Sequence, residues 1–182
     1  LQGFLDACEA RLQRMDPPDC GCRAVVMPSL NGARNRPNLM PLVALSLRNL
    51  GVPVLVPFHE DDDGRSPATA VFARLDVPRC SFLSEAGLRL DDEGIELVPL
   101  RLLCAELPEL LALRRRLGVR NCGHTLAKLL DPFTRPAVRV VAMTHPGYME
   151  RVRDVLVARG VHGVVMRGTR SEEHTSELQS RG

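Results

Sequence analysis

The sequence predicts an α/β protein with a largely parallel sheet and helices on both of its faces. Three observations support this fold class. Short apolar runs with the length of buried strands alternate with longer segments whose apolar residues recur at helical spacing. Loops rich in proline, glycine, asparagine or aspartate separate the two kinds of segment. Of the 182 residues, 45% are hydrophobic and 25% are charged, as in folded globular proteins.

The chain begins with an expected helix and a first strand. Residues 4–15 carry apolar side chains near helical spacing and stop before Pro17, so they predict an amphipathic helix. Residues 24–27 form a short apolar run and predict the first strand. The irregular segment 28–37 contains prolines, asparagines and one glycine, and it joins this strand to the next helix.

The next helix is marked by its boundary residues. Residues 39–50 are mostly apolar and predict a buried helix, which Asn38 can cap and which Gly51 can end in the left-handed conformation. Residues 52–56 predict the second strand. A serine-proline pair, typical of a helix start, opens an expected helix at residues 66–75.

The second half continues the alternation of strands and helices. We expect a strand, a helix, a strand, a helix and a final strand at residues 95–98, 107–117, 138–143, 148–159 and 161–166. This order favours the largely parallel sheet.

The two ends of the sequence indicate a fragment of a longer protein. The chain starts without Met, and residues 170–182 form a polar stretch without periodicity that resembles a translated sequencing adapter. We therefore expect read-through at residues 170–182, with a native disordered tail as the alternative, and the natural segment at residues 1–169.

Several classes of protein and site are disfavoured. No apolar run approaches the roughly eighteen residues of a membrane span, and no signal-peptide pattern begins the chain. Six scattered cysteines do not make a disulfide scaffold, so we expect reduced thiols in a cytoplasmic protein. Cys20 and Cys22 have the wrong spacing for a zinc or thioredoxin-type pair. Three adjacent acids at residues 61–63 suit Mg²⁺, but a solvated turn is their commoner role, and we predict no metal site.

Charge is divided unevenly along the chain, although the formal net charge is only +2. Residues 1–99 carry ten arginines against fourteen acidic residues. Residues 100–169 carry eleven arginines and one lysine against five acidic residues. The basic second half favours a surface for phosphates or nucleic acid. A solvated basic face, or arginine-rich codon usage, would give the same asymmetry.

Two segments are candidate anion sites. The loop at residues 28–37 follows a strand and precedes a helix, where parallel α/β sheets bind ligands, but its single glycine is fewer than a phosphate cradle needs. The segment 114–128 places cations at a helix end and in the following turn, and guanidinium groups suit phosphate. An ordinary loop and a solvated face that complements the helix dipole are the respective alternatives. The candidate cations are Arg114, Arg115, Arg116, Arg120 and Lys128.

Residues 25–56, with their loop, long apolar helix and strand, and residues 114–133 resemble the anthranilate phosphoribosyltransferases and the glycosyl transferase family 3 fold. The resemblance is strongest to the divergent, DNA-binding YbiB branch. It implies a homodimer in which a small helical domain packs on a larger α/β domain. Residues 1–16 would be the end of the small domain and residues 17–169 part of the larger one.

The resemblance also implies how this sequence departs from active members of the family. Those members bind the diphosphate of phosphoribosyl diphosphate with a Gly-Thr-Gly-Gly-Asp loop, where this sequence has Pro28-Ser29-Leu30-Asn31-Gly32. A basic Lys-His-Gly-Asn-Arg segment is replaced by Val56-Pro57-Phe58-His59-Glu60. The degenerate diphosphate loop would comprise Ser29, Asn31, Gly32 and Asn38.

Three further features of the family can be compared with this sequence. Asn38 matches the asparagine of the family's Asn-x-Ser-Thr stretch, with Met40 and Pro41 in place of its hydroxyl residues. Arg114 matches the arginine that engages the anthranilate carboxylate. The Asp-Glu pair that binds Mg²⁺ in the family would follow Gly168.

We therefore expect a nucleic-acid-binding protein of this fold that has lost phosphoribosyl transfer and needs no cofactor. The five candidate cations would contact the DNA or RNA backbone. One tyrosine, five phenylalanines and no tryptophan leave few platforms for base stacking. The alternative is an active phosphoribosyltransferase that uses phosphoribosyl diphosphate and Mg²⁺, with Arg114 orienting the acceptor.

Overall fold

The computed structural model describes residues 2–30, 38–60, 67–119, 121–143 and 145–168. Within these ranges the chain forms five strands, all of which pair in parallel in a single sheet. The strands are β1 (Val25–Val26), β2 (Val54–Phe58), β3 (Ile95–Pro99), β4 (Val138–Met143) and β5 (Gly163–Arg167). Their order across the sheet is β3-β2-β1-β4-β5, so the α/β fold class and the parallel sheet are confirmed.

Helices cover both faces of this sheet. They are α1 (Gln2–Glu9), α2 (Met40–Asn49), α3 (Ala68–Ala73), α4 (Leu83–Glu93), α5 (Leu100–Leu103), α6 (Leu107–Leu117), α7 (Gly123–Leu126) and α8 (Pro146–Ala158). Successive residues of a strand point to opposite faces, and Leu55 of β2 therefore joins one buried cluster while Val54 and Val56 join another. The Leu55 cluster includes residues of α1 and α4 to α8, and the second cluster packs against α2 and α3.

The register places β1 at the centre of the sheet. Val25 pairs with Val54 of β2 on one side and with Val138 of β4 on the other. Along the chain, β2 pairs with one side of β1 and β3 pairs with β2. Strand β4 then pairs with the other side of β1, and β5 pairs with β4. In parallel sheets this change of direction marks the edge where ligands bind, at the carboxyl ends of the central strands.

The helix expected at residues 4–15 is shorter than predicted, and this prediction was wrong at its carboxyl end. Helix α1 ends at Glu9. Beyond it, the backbone N–H of Gln13 donates to the carbonyl of Leu103 at 2.7 Å, and that of Met15 donates to Pro132 at 2.9 Å. Hydrogen bonds to two distant loops thus replace the helical ones, which local apolar spacing does not reveal.

The helix expected at residues 39–50 is present as α2, but its predicted burial was wrong. Ala44 is fully buried against the sheet, whereas Leu42 is 64% exposed and Leu50 is 79% exposed. The helix packs on the sheet along one narrow face and presents leucines on the other. Gly51 follows with a φ of +78°, so the predicted left-handed end of this helix is confirmed. No helix in the described ranges is long and apolar enough to cross a membrane.

Candidate functional site

The carboxyl ends of the parallel strands meet at one edge of the sheet, and several polar groups lie there. Ser29 follows β1, Glu60 follows β2 and Arg101 follows β3. Lys128, which comes after α7, reaches the end of β4 from the side. These positions define the candidate site edge.

Ser29 is held in the sheet rather than in an open loop. Its backbone N–H donates to the carbonyl of Pro57 at 2.7 Å, and the residue forms a parallel bridge with Phe58. Two residues earlier, the N–H of Met27 donates to Leu55 at 2.9 Å. A phosphate-binding loop needs N–H groups that point at the anion, and the one on Ser29 is already used by β2.

Asn38 has a structural contact at the start of α2. Its Oδ1 accepts a hydrogen bond from the N–H of Met40 at 3.2 Å, but the N-cap of the helix is Leu39, so the prediction that Asn38 caps α2 was wrong by one residue. The other two members of the predicted degenerate loop, Asn31 and Gly32, lie outside the described residues.

Three adjacent arginines occupy the last turn of α6. Arg114 is half-buried, and Arg115 and Arg116 are exposed. Gly118 ends the helix with a φ of +70°, and its N–H donates to the carbonyl of Arg114 at 2.9 Å. The positive side chains lie where the helix dipole is negative, which stabilises the helix end and concentrates charge at the surface. The predicted partner Arg120 lies outside the described residues, as do the acids at 61–63 and the tail at 170–182.

The ammonium group of Lys128 contacts the sheet. The Nζ donates to the carbonyl of Ala142 at 2.7 Å and lies 3.9 Å from Sδ of Met143. The side chain is half-buried. The contact fixes one positive charge beside the carboxyl end of β4, at the site edge.

A further charged cluster at this edge was missed by the sequence analysis. Arg101 Nη1 lies 2.7 Å from Glu60 Oε2, and Arg79 Nη1 lies 3.8 Å from Glu60 Oε1. The Arg79 guanidinium also stands over the Phe58 ring, 5.7 Å from its centroid. Arg101 comes two residues after the last residue of β3. The end of that strand was the signal that could have identified it, because ligand sites collect at strand ends.

The basic excess of the second half is partly neutralised by the acidic first half. Among the described residues, three arginines beyond residue 100 form ion pairs with acids that come before residue 61 in the chain. The pairs are Arg101 with Glu60, Arg135 with Asp19, and Arg159 with Asp6 and Glu9. These ion pairs offset part of the charge asymmetry between the two halves of the sequence. Among the predicted cations, the most concentrated are the three arginines in the last turn of α6.

Two ion pairs lie deeper in the molecule and are structural. Glu96 on β3 is fully buried, with Arg89 Nε 2.9 Å from Oε2 and the N–H of Leu97 donating to Oε1 at 2.9 Å. Burial raises the pKa of Glu96 to about 7, against the opposing effects of Arg89 and the Leu97 hydrogen bond. Arg139 on β4 is also fully buried, with its Nη2 2.5 Å from Asp131 Oδ2.

The chain is similar in sequence to YbiB from Escherichia coli strain K12. The two are 34% identical over 177 residues, which cover 97% of this chain and 55% of YbiB. No family model matches the chain.

Solved anthranilate phosphoribosyltransferases have a similar fold. The protein from Thermus thermophilus superposes with a TM-score of 0.69 at 18% identity, over 91% of this chain and 50% of that protein. The protein from Saccharomyces cerevisiae gives a TM-score of 0.67 at 15% identity, over 88% of this chain and 45% of that protein. The chain thus spans about half the length of the relatives that it matches.

Proposed function

Since this chain has the fold of the anthranilate phosphoribosyltransferases and is related to YbiB, we propose that the full-length protein binds the phosphate backbone of a nucleic acid and does not transfer phosphoribosyl groups. The observation that carries the proposal is the arginine turn of α6, Arg114 to Arg116. Arg115 and Arg116 are exposed and Arg114 is half-buried, and guanidinium groups at such a helix end can engage phosphate oxygens.

Binding of this kind is mainly electrostatic. Cations that neutralise phosphates release condensed counterions, so affinity falls steeply with salt and depends little on base sequence. The chain has one tyrosine and no tryptophan, which leaves backbone contact as the main source of affinity. Lys128 contributes positive charge near the end of β4 without leaving its contact with Ala142.

The loss of transfer chemistry is supported by the segment after β1. The N–H of Ser29 is paired with Pro57 across the sheet, so it is not directed at a bound diphosphate. A tight diphosphate cradle also needs glycines that bring the backbone close to the oxygens, and Pro28 and Ser29 stand at the start of this loop.

The test compares two double variants of equal charge in the full-length protein. Arg115→Gln/Arg116→Gln removes two exposed arginines of the turn, and Arg11→Gln/Arg153→Gln removes two exposed arginines elsewhere. We expect the first variant to weaken binding to a mixed-sequence duplex and to reduce the slope of log affinity against log salt by about 2. The control should keep a slope close to that of the unmodified protein. Equal effects of the two variants, or no salt-sensitive binding of the unmodified protein, would contradict the proposal.

Phosphoribosyl transfer is the second candidate, favoured by the fold shared with the yeast enzyme solved in complex with phosphoribosyl diphosphate and Mg²⁺. In that case Arg114 would orient the carboxylate of the acceptor, and acids following Gly168, outside the described residues, would hold Mg²⁺. Mg²⁺ would supply stabilisation of the departing diphosphate. Release of diphosphate from phosphoribosyl diphosphate and anthranilate by the full-length protein would establish this candidate and exclude the loss of transfer.

A further inference from the structure

Cys20 and Cys22 form a close, accessible pair of thiols at the opposite edge of the sheet from the candidate site. Their Sγ atoms are 3.1 Å apart, and both residues are exposed. The pair lies in the turn that precedes β1, beside the residues that precede β2. The other four cysteines are distributed among positions 8, 80, 104 and 122, and all six are free thiols.

The glycine between the two cysteines sets the shape of the turn that brings their side chains together. Gly21 has a φ of +73°, a conformation that a residue with a side chain adopts only with strain, and the space around its Cα is open. The glycine is thus required by the turn rather than by packing. The two side chains lie on the same side of this turn. A disulfide bond is about 2.05 Å long, so its formation requires the two sulfur atoms to approach each other by about 1 Å.

Contacts on both sides hold this turn in place. Cys22 Sγ lies 3.7 Å from the carbonyl oxygen of Gly51, and Cys20 Sγ lies 3.6 Å from that of Cys22. On the preceding side, Arg135 Nη2 donates to the carbonyl of Pro17 at 2.8 Å. The thiols are therefore brought together by the fold and not only by their nearness in sequence.

Cys20 of the pair also borders an open pocket. The pocket has a volume of about 380 Å³ and includes Cys20, Gly51, Asp91 and Asp92 in its lining. In the described part of the chain, no three His, Cys, Asp or Glu side chains are grouped to hold a metal ion.

We propose that Cys20 and Cys22 form a thiol–disulfide exchange site whose oxidant is a low-molecular-weight disulfide. The thiolate of Cys20 attacks one sulfur of that disulfide, forms a mixed disulfide and releases the first small thiol. The thiolate of Cys22 then attacks the Cys20 sulfur, closes the intraloop disulfide and releases the second small thiol. Two electrons and the two thiol protons pass from the protein to the reactant, which becomes two small thiols.

The test treats the reduced full-length protein with cystamine, a disulfide whose cationic ends suit a pocket lined by Asp91 and Asp92. After unfolding and trypsin digestion, residues 15–23 form one peptide that contains Cys20 and Cys22 and no other cysteine. We expect this peptide to become two hydrogen atoms lighter, with no lasting cystamine adduct. In Cys22→Ser we expect the adduct on Cys20 to persist, because the resolving thiol is gone.

Two further variants separate the proposal from general thiol reactivity. Gly21→Ala keeps both thiols but strains the turn, so we expect the ring to close several-fold more slowly while far-ultraviolet circular dichroism stays unchanged. Cys122→Ser removes an exposed cysteine elsewhere and should leave the reaction of peptide 15–23 unaltered. A persistent adduct on peptide 15–23 of the protein without substitutions, an unreacted peptide, or a disulfide formed only between other cysteines would each overturn the proposal.

Discussion

At the scale of single residues, Glu96 is the group with the clearest effect of its surroundings. Its carboxyl group is fully buried, and burial raises its pKa from 4.5 to about 7. The unfolded chain therefore loses this proton at a lower pH than the folded chain. Between these two pKa values the folded state binds more protons, so the free energy of unfolding falls as pH rises from 4.5 towards 7.

The variant Glu96→Gln tests this effect. The amide of the glutamine is neutral at every pH. The variant should therefore not show the decrease in the free energy of unfolding that ionisation of Glu96 causes in the unmodified protein. Between pH 5 and pH 8 we expect the free energy of unfolding of the unmodified protein to fall by about 2–3 kcal/mol relative to that of Glu96→Gln. Urea unfolding of both proteins at several pH values measures this difference, with the exposed Glu150→Gln as control. Parallel stability curves for the unmodified protein and Glu96→Gln would contradict the raised pKa.

The residues of the site could be predicted only where a local pattern marked them. The last turn of α6 was proposed because three arginines are adjacent in sequence, and Asn38 because it directly precedes an apolar helix. Arg79 and Arg101 were missed because their shared partner, Glu60, lies far from both in sequence. Contacts of this kind depend on strand order, which the sequence alone does not give.

At the scale of elements, predictions succeeded where apolar periodicity was strong. The bounds of α6 and β4 agree with the sequence prediction at both ends. Helix α4 was not predicted, because it buries only Ala86 and Leu90 and has acidic residues over much of its surface. Its packing against β3 supplies the stabilisation that its own sequence pattern does not display.

Gly87 within α4 and Gly94 directly after it give opposite predictions for the same substitution. Gly94 ends the helix with a φ of +67°, and an added Cβ would lie 3.3 Å from Cγ of Arg48. Gly94→Ala should therefore lower the free energy of unfolding by about 1–2 kcal/mol. Gly87 lies inside the helix, where an added Cβ meets nothing closer than 4.0 Å, so Gly87→Ala should raise it by about 0.5–1 kcal/mol.

Thermal and urea unfolding of the two glycine variants form a matched comparison within one helix. The chemical change is identical, and the two sites differ in backbone conformation and in the space around the added Cβ. A stability change of the same sign in both variants would show that α4 does not end at Gly94 as described.

At the scale of the whole molecule, the two halves of the chain are complementary in charge. The acidic first half and the basic second half meet through ion pairs that join distant parts of the sequence. Charge counting along the chain therefore overstates the positive surface of the folded protein. The last turn of α6 concentrates positive charge because its three arginines are adjacent in sequence. This turn therefore carries the proposed function.

Arg159 provides the test of this complementarity, because it joins the end of α8 to α1. Its Nη2 contacts Asp6, its Nη1 lies 3.7 Å from Glu9 Oε2, and its side chain is 21% exposed. Arg159→Gln should lower the free energy of unfolding by about 1 kcal/mol and speed amide hydrogen exchange in α1 more than in the central strands.

The control is Arg153, which is 66% exposed and pairs only with the adjacent Asp154 among its described contacts. Arg153→Gln should change the free energy of unfolding by less than about 0.5 kcal/mol. Because salt screens exposed charges, the difference between the two variants should shrink as ionic strength rises. If both variants lose stability equally, or if exchange in α1 stays unchanged, the pairing of the two halves through Arg159 does not hold α1 in place.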